Sequence, residues 1–280
     1  AICIFVNDYV TAPMIEELYQ MGVKAILLRS AGFNHVDLKA AKGKLEVLRV
    51  PSYSPEAVAE YAMAMLLTVN RYTHKAYTRT REFNMNINGL MGRDLFRKTA
   101  GIVGTGKIGQ AMIRICQGFS MDVIAYDPYP NSDLSVKYVS KEELFRNSDV
   151  ISLHCPLTEE TYHIINKESI DMMKKNVYLV NTSRGGLIDA GYLIEGLLNR
   201  TFAGVGLDVY EEEEGVFYED RSNDIMRDEI LARLTSFPNV LISSHMGFFT
   251  REATKAIAEI TLENAYALDQ GKELKNSVVS

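Results

Sequence analysis

Three ionisable side chains of different kinds stand at matching points late in the 280-residue chain. Arg184 follows the apolar stretch 177–182, Glu213 lies just past Leu207-Asp208-Val209-Tyr210, and His245 closes the stretch 240–244. Each comes after the carboxyl end of a predicted strand, the edge where open parallel sheets bind ligands, so the three can converge although they are far apart in the chain. A guanidinium can grip an α-keto carboxylate in a bidentate fork and polarise the neighbouring carbonyl. An imidazolium can hand a proton to a carbonyl oxygen as hydride reaches the carbon, and its ordinary pKa of about 6.5 lets it work in both directions. A carboxylate behind that imidazole fixes its tautomer and favours its charged form.

Each residue also has a plainer reading. Arg184 precedes Gly185-Gly186 and could be a loop arginine paired with Asp189. Glu213 belongs to four consecutive glutamates, 211–214, and such a run is usually a solvated loop. His245 could simply end a strand. Among the other histidines, His154 also ends a strand, beside Cys155-Pro156, and patterning separates it only weakly from His245.

The elements that must position these groups start from one glycine turn. Ile102 and Val103 end an apolar run, Gly104, Gly106 and Gly109 follow in the G-x-G-x-x-G spacing, and Ile108, Met112, Ile113 and Cys116 open a helical period. The first glycine permits a tight turn, the second lets a pyrophosphate approach the backbone, and the third lets helix and strand pack closely. At the end of the next apolar run stands Asp127. An acid there can accept from both ribose hydroxyls of an adenosine and repels a 2′-phosphate, so the pair points to NAD rather than NADP.

Strands are expected at 100–104, 123–127, 150–155, 177–182, 203–209 and 240–244, with helices near 108–118, 141–146, 167–173 and 190–199. Alternation on this scale predicts an α/β fold, a doubly wound parallel sheet with helices on both faces. Before it, strands at 2–6, 25–28 and 47–50 and a helix at 14–20 form a βαβ-type opening, with the glycine-bearing loop Arg29-Ser30-Ala31-Gly32-Phe33 at a strand end. A helix starting at Pro55 is apolar nearly all round to Asn70 and continues, basic and polar, to Asn84. Such a helix is expected at a homodimer interface. A final helix is expected over 250–270.

Composition bounds the function. With 47% hydrophobic and 24% charged residues the chain is globular, and a net charge of −6 disfavours nucleic-acid binding while leaving small anions open. Cys3, Cys116 and Cys155 lack metal-ligand spacing, so buried thiols in a cytoplasmic protein are expected, with no metal site. No stretch is long enough to span a bilayer, and the opening residues read as a strand rather than a signal peptide.

Taken together, GTGKIG, YDPYP, SLHCPLT, NTSRGGLID, GLDVYEEE and SSHMGFFT resemble the NAD-dependent D-2-hydroxyacid dehydrogenases, and the stretch 211–220 with 52–57 and 29–33 looks like the fermentative bacterial D-lactate dehydrogenases among them. The resemblance implies that Arg184 binds the substrate carboxylate, Glu213 orients the histidine, and His245 donates the proton. It implies cofactor contacts at Lys107, Ile108, Cys155, Pro156, Thr161, Thr182 and Ser183 beside the glycines and Asp127, with Asp208 reaching the nicotinamide carboxamide. His154 becomes a backbone contact on the cofactor side. Ala31 and Gly32 would hold the carboxylate through their N–H groups, and Tyr53 and Phe248 would line a small pocket.

The implied reaction is the reversible reduction of pyruvate to D-lactate by NADH, with larger 2-keto acids (2-oxoglutarate, phenylpyruvate, branched-chain acids) as the alternative and a non-catalytic NAD-sensing module as a remoter one. The implied architecture is an NAD domain at 53–247 and a discontinuous, flavodoxin-like catalytic domain at 1–52 plus 248–280, with the substrate in the cleft between them and a homodimer or homotetramer as the assembly. Members of that family begin with a further strand and helix ahead of the strand matching residues 2–6, so the catalytic domain is expected to lack that portion here.

Overall fold

In a computed structural model of the chain, residues 1–213 and 216–279 are described. They form two compact units, residues 1–54 with 248–280 and residues 55–247.

In the first unit, strands β1 (Ile2–Ile4), β2 (Ala25–Leu28) and β3 (Glu46–Leu48) run parallel in that order. β2 is central and buried along its whole length, which explains an unbroken apolar run where a half-exposed strand would alternate. Helix α1 (Ala12–Gln20) carries Pro13 in its first turn, where the missing N–H does no harm. Helix α2 (Leu38–Ala41) was not expected from the pattern. It is a single turn, too short to show a helical period, and only its cap, Asp37 accepting from the Ala40 N–H, marks it.

The second unit opens with α3 (Pro55–Arg71) and α4 (Thr73–Arg81), then runs β4 (Thr99–Val103), α5 (Lys107–Gly118), β5 (Asp122–Tyr126), β6 (Lys137–Tyr138) and α6 (Lys141–Asn147). It continues through β7 (Val150–Leu153), α7 (Lys167–Met172), β8 (Val177–Asn181), α8 (Ala190–Leu198), β9 (Phe202–Leu207), α9 (Glu229–Ser236) and β10 (Val240–Ile242). The seven strands are all parallel in the order β10-β9-β8-β7-β4-β5-β6. The chain starts at β4, winds outward to β6, then returns to β7 on the other side, so the order reverses between β4 and β7. Open parallel sheets bind ligands at such a reversal, outside the strands' carboxyl ends.

Alternate side chains feed two cores. Val103, Ile151, Leu153, Val177 and Leu179 face Phe145, Ile170, Leu193, Leu197 and Leu234 from α6 to α9. Ala100, Ile102, Val150, Tyr178 and Val180 face Ala62, Leu66, Met112 and Cys116 from α3 and α5. The chain then returns to the first unit as α10 (Arg251–Asp269), whose Ala265 and Leu268 pack with Leu274 against Ala25, Leu27 and Leu48, while α1 and α2 cover the opposite face.

The single helix expected from Pro55 to Asn84 is two helices. The break is Tyr72, held left-handed at φ 52°. α3 buries nine side chains, ending with Val69 and Asn70, whereas α4 buries none, so nothing in the core makes the second helix follow the first. Helix α9 was also not anticipated, since its capped start, Asp228 accepting from the Leu231 N–H, follows a long polar stretch that carries no period. The two-residue β6 pairs only with the edge of β5.

Asn70 ties α3 to the segment before β4 and to β8. It is 1% exposed, its Oδ1 accepts from the Arg93 N–H (2.9 Å) and the Tyr178 hydroxyl (3.0 Å), and its Nδ2 donates to the Arg93 carbonyl (2.8 Å). Asn70→Ala strips partners from all three groups and is expected to lower stability by about 1–3 kcal/mol. Urea unfolding should show a lower midpoint with an unchanged m value, and an unchanged midpoint would mean that these groups find water instead.

Candidate active site

Strands β8, β9 and β10 end in register, with Asn181 opposite Leu207 and Leu207 opposite Ile242. Arg184, Tyr210 and His245 each stand three residues beyond those ends. Neighbouring strands lie about 4.8 Å apart, so the backbones carrying Arg184 and His245 set out about 10 Å from one another. Between them the chain turns back after Tyr210. Glu213 Oε2 accepts from the Tyr210 N–H at 3.2 Å, and Glu213 Oε1 lies 2.9 Å from His245 Nδ1. Glu213 is half-buried, while Glu211 and Glu212 are exposed, so the run does not behave as one solvated loop. Glu214 lies outside the described residues.

His245 itself is left-handed at φ 51°, a conformation that costs a residue with a side chain roughly 1–3 kcal/mol. Three groups hold it. Its N–H donates to the Asp208 carbonyl (2.7 Å), its carbonyl accepts from the Tyr218 hydroxyl (2.8 Å), and the turn around it wraps a buried carboxylate. Asp208 Oδ1 accepts from the Ser243 hydroxyl and the Met246 N–H, and Oδ2 accepts from the Gly247 N–H at 2.7 Å. Burial pushes the Asp208 carboxyl above the usual carboxylate range, and these donors pull it part of the way back. Position 247 has little room for more than glycine, since a Cβ there would lie 3.0 Å from Asp208 Oδ2.

Arg184 is held by its backbone. The fully buried Asn181 accepts from the Ser183 N–H and donates to the Arg184 carbonyl (2.8 Å), fixing the turn. The guanidinium donates to the Ser183 carbonyl and makes no ion pair among the described residues. Asp189 does not pair with it. That carboxylate caps α8 by accepting from the Gly191 and Tyr192 N–H groups, so the loop-pairing reading of Arg184 is not what is found.

His154 occupies a different environment. Its Nε2 lies 2.8 Å from the Ser152 hydroxyl, its Nδ1 is buried without a partner, and burial lowers its pKa to about 4. Burial keeps it neutral, and no carboxylate among the described residues lies against its ring, whereas Glu213 lies against the ring of His245. Its N–H bonds to the Val103 carbonyl and helps join β7 to β4.

At the reversal of strand order, the three glycines have separate steric reasons. Gly104 has φ +92°, and a Cβ on it would lie 2.6 Å from the Cys155 nitrogen. A Cβ on Gly109 would lie 2.0 Å from the Gly104 carbonyl oxygen. Gly106 has nothing within 4 Å of where its Cβ would be, and it is the N-cap of α5 with no side-chain cap. Open space over uncapped N–H groups, with Lys107 and Ile108 starting the helix, is what a pyrophosphate requires. Asp127 Oδ2 accepts from both the backbone N–H and the hydroxyl of Thr105, so the acid also braces the turn. Thr182 Oγ1 is buried with no partner, an orphan that a bound dinucleotide fits. Ser183 donates to the Cys155 carbonyl, and Thr161 donates to the Pro156 carbonyl, which ties these strand ends together. Burial raises the Cys155 thiol to about 12, which keeps it protonated and inert.

In the first unit, the Ala31 and Gly32 carbonyls accept from Arg49 and Ser30, and no acceptor among the described residues takes their N–H groups. Tyr53 and Phe248 meet edge to face with ring centroids 6.3 Å apart. Sequence reasoning missed Asn181, Tyr218 and Ser243, which touch the site through backbone groups or a neighbouring carboxylate. Asn181 alone left a signal, as a polar residue ending an apolar strand.

A glycine turn and uncapped helix start at the reversal of a parallel sheet, with a histidine and carboxylate paired beyond neighbouring strands, define a class: the dinucleotide-dependent oxidoreductases. Residues 63–247 match the NAD-binding domain of D-isomer-specific 2-hydroxyacid dehydrogenases. The chain is 51% identical to the D-lactate dehydrogenase of Escherichia coli, covering 100% of this chain and 86% of that protein. It superimposes on the pyruvate reductase of Chlamydomonas reinhardtii with TM-score 0.92 at 43% identity, over 98% of this chain and 84% of that one. The Aquifex aeolicus D-lactate dehydrogenase complexed with NAD and lactic acid matches with TM-score 0.90 at 36% identity, over 99% and 86%. The chain therefore belongs to the D-isomer-specific 2-hydroxyacid dehydrogenases and is NAD-dependent. Among the described residues no helix is long and apolar enough to cross a membrane.

The His154 environment makes a stability prediction. Its pKa is about 4 in the folded chain and about 6.5 when unfolded, so between those values the unfolded state holds more protons. This contribution is present above pH 6.5 and is lost as pH falls towards 4, by at most about 1.4 kcal/mol per pH unit. His154→Gln, which still offers Ser152 a partner, should flatten that part of the profile. Urea midpoints of both proteins at pH 7, 5.5 and 4.5 test this, and parallel curves would assign the loss elsewhere.

Proposed function

We propose that the protein reduces pyruvate reversibly to D-lactate with NADH. The observation carrying this reading is the 2.9 Å pairing of His245 Nδ1 with Glu213, two strand ends from an Arg184 guanidinium that has no ionic partner among the described residues. The relatives named as D-lactate dehydrogenases and as a pyruvate reductase support the choice of a three-carbon acid. When bound, NADH supplies the hydride. Glu213 holds His245 with its other ring nitrogen, Nε2, directed to the substrate oxygen, and His245 delivers the proton there or removes it in the reverse direction. Arg184 takes the carboxylate in a fork and draws charge from the adjoining carbonyl.

Gly106, Lys107 and Ile108 would hold the pyrophosphate at the turn that Gly104 and Gly109 make possible, and Asp127 would take the ribose hydroxyls. Cys155, Pro156, Thr161, Thr182 and Ser183 line the path to the nicotinamide. Among the described residues Asp208 Oδ2 accepts one donor, the Gly247 N–H, which leaves it capacity for a carboxamide N–H. Ala31 and Gly32 bind the carboxylate through their N–H groups, and Tyr53 with Phe248 limits the size of the side chain admitted.

The test is NADH oxidation with pyruvate, 2-oxoglutarate, phenylpyruvate and a branched-chain keto acid, compared by kcat/KM. Pyruvate is expected to lead, and a larger acid in front would overturn the substrate assignment. His245→Ala should lower kcat by about 10²–10⁴-fold with NADH affinity nearly intact. Arg184→Lys should raise the pyruvate KM roughly tenfold or more, because an ammonium cannot form the fork. Asp127→Ala should narrow the preference for NADH over NADPH.

A homodimer or homotetramer is part of the same reading. Phe83, Met85, Ile87 and Met91 are 67–91% exposed just past α4, apolar surface suited to a second copy of the chain. Sedimentation at micromolar concentration should give at least a dimer, and a monomer would remove this part of the proposal.

A further inference from the structure

A second cluster of ionisable groups lies behind the catalytic pair. His163 stands between two carboxylates: its Nδ1 is 3.4 Å from Asp189 Oδ2, and its Nε2 is 3.1 Å and 3.2 Å from the two Glu211 oxygens. Tyr162 donates its hydroxyl to Glu211 (3.0 Å), and its ring stacks on the imidazole at 3.9 Å and 18°. All of these side chains converge on two backbone segments. The His163 N–H donates to the Gly186 carbonyl (2.9 Å), inside the turn that carries Arg184. That turn is pressed against the other segment, because a Cβ on Gly185 would lie 2.0 Å from the Tyr210 carbonyl carbon and 2.3 Å from the Glu211 nitrogen. The second segment is 210–213, whose last residue holds His245.

We propose that His163 is a positioning residue for the reaction, bracing through Glu211 the loop that sets Glu213 against His245 and through Gly186 the turn that presents Arg184. This inference rests on the catalytic roles proposed above for Arg184, Glu213 and His245. The physical reason is reach. Glu213 approaches His245 from an irregular segment whose Tyr210 is buried and donates its hydroxyl to Asp228 (3.1 Å) at the start of α9, but whose Glu211 and Glu212 are exposed, and a loop of that kind wanders unless side chains fasten it. The imidazole has two nitrogens on opposite edges, so one ring can fasten Glu211 to the capped start of α8 at Asp189. Asp189 is itself immobilised by the α8 N–H groups, which makes it a fixed post rather than a second loose end. The brace touches neither substrate nor cofactor. It acts through the angle at which Glu213 meets the ring.

His163→Phe keeps the stack on Tyr162 and removes both carboxylate contacts, so it separates packing from fastening. Hydrogen exchange reads the brace without any turnover. The Tyr210 N–H bonds to Glu213 Oε2 and the Phe217 N–H to the Glu213 carbonyl, and both amides should exchange about tenfold faster in the variant. With pyruvate and NADH, kcat should fall about fivefold or more while the NADH dissociation constant stays within about twofold. In a Glu213→Gln background, adding His163→Phe should lower kcat no further, because the fastened group is already gone, whereas independent structural damage would multiply. If His163→Phe does not fold, Glu211→Gln carries the same test, keeping an acceptor for Tyr162 and losing the charge. Unchanged exchange at Tyr210 and Phe217, or multiplying losses in the double variant, overturns the brace. A wild-type protein that oxidises NADH with none of the keto acids overturns the functional reading instead, and the exchange measurement still decides the brace.

Discussion

A buried carboxylate sets the geometry on which the chemistry depends. Asp208 leaves the end of β9 and gathers three donors from the chain beyond β10, at Ser243, Met246 and Gly247, while its own carbonyl takes the His245 N–H. A turn wrapped this way has one conformation, and that conformation makes His245 left-handed. The strain is local and modest, and four hydrogen bonds in a low-dielectric site oppose its release. Without Asp208 the histidine would follow the strand outward, and Glu213 would have nothing to meet. The pairing of His245 with Glu213 is therefore a product of how two adjacent strand ends are sewn together.

The same device recurs along the whole edge of the sheet. Asn181 sews the Arg184 turn, Thr105 ties the glycine turn to Asp127, and Ser183 joins β8 to the segment after β7. In each case a short polar side chain bonds to backbone that the sheet ladder has just released. Strand ends are where such groups become orphaned, and they are also where a parallel sheet presents its ligand site. One set of hydrogen bonds thus settles both debts of that edge: it satisfies the freed peptides and it fixes the groups that face the ligand. Strands in register at Asn181, Leu207 and Ile242 ensure that the fixed groups leave from a common line.

This division explains what was legible in the sequence. The strands of the larger unit, the glycine turn and Asp127 were readable because periodicity and turn chemistry are local properties, visible in a few consecutive residues. The positions of Arg184, Glu213 and His245 beyond the carboxyl ends of adjacent strands were readable, since they follow from topology. The sewing residues were not. Nothing about Tyr218 predicts that its hydroxyl reaches the His245 carbonyl, because that contact spans 27 positions and depends on how an irregular loop folds. The break at Tyr72 was hidden for the opposite reason: helix propensity continues through it, and only the end of burial at Asn70 distinguishes the two helices. Short elements such as α2 and β6 hold too few residues to carry any period.

His154 and His245 show how far environment outweighs residue type. Both follow strands of the same sheet, and patterning alone gave little reason to prefer one. His154 follows a central strand, where helices cover both faces, so its ring is enclosed beside Ser152 with one nitrogen unsatisfied, and the charged form is expelled. His245 follows the strand at the margin of the sheet, where the chain has room to turn back and bring a carboxylate to the ring. A proton donor needs a site that tolerates both of its charge states. Of the two positions, the margin is the one that sets a carboxylate against the ring, at 2.9 Å. The histidine proposed as proton donor thus follows the edge strand, and the enclosed histidine joins two central strands through its N–H.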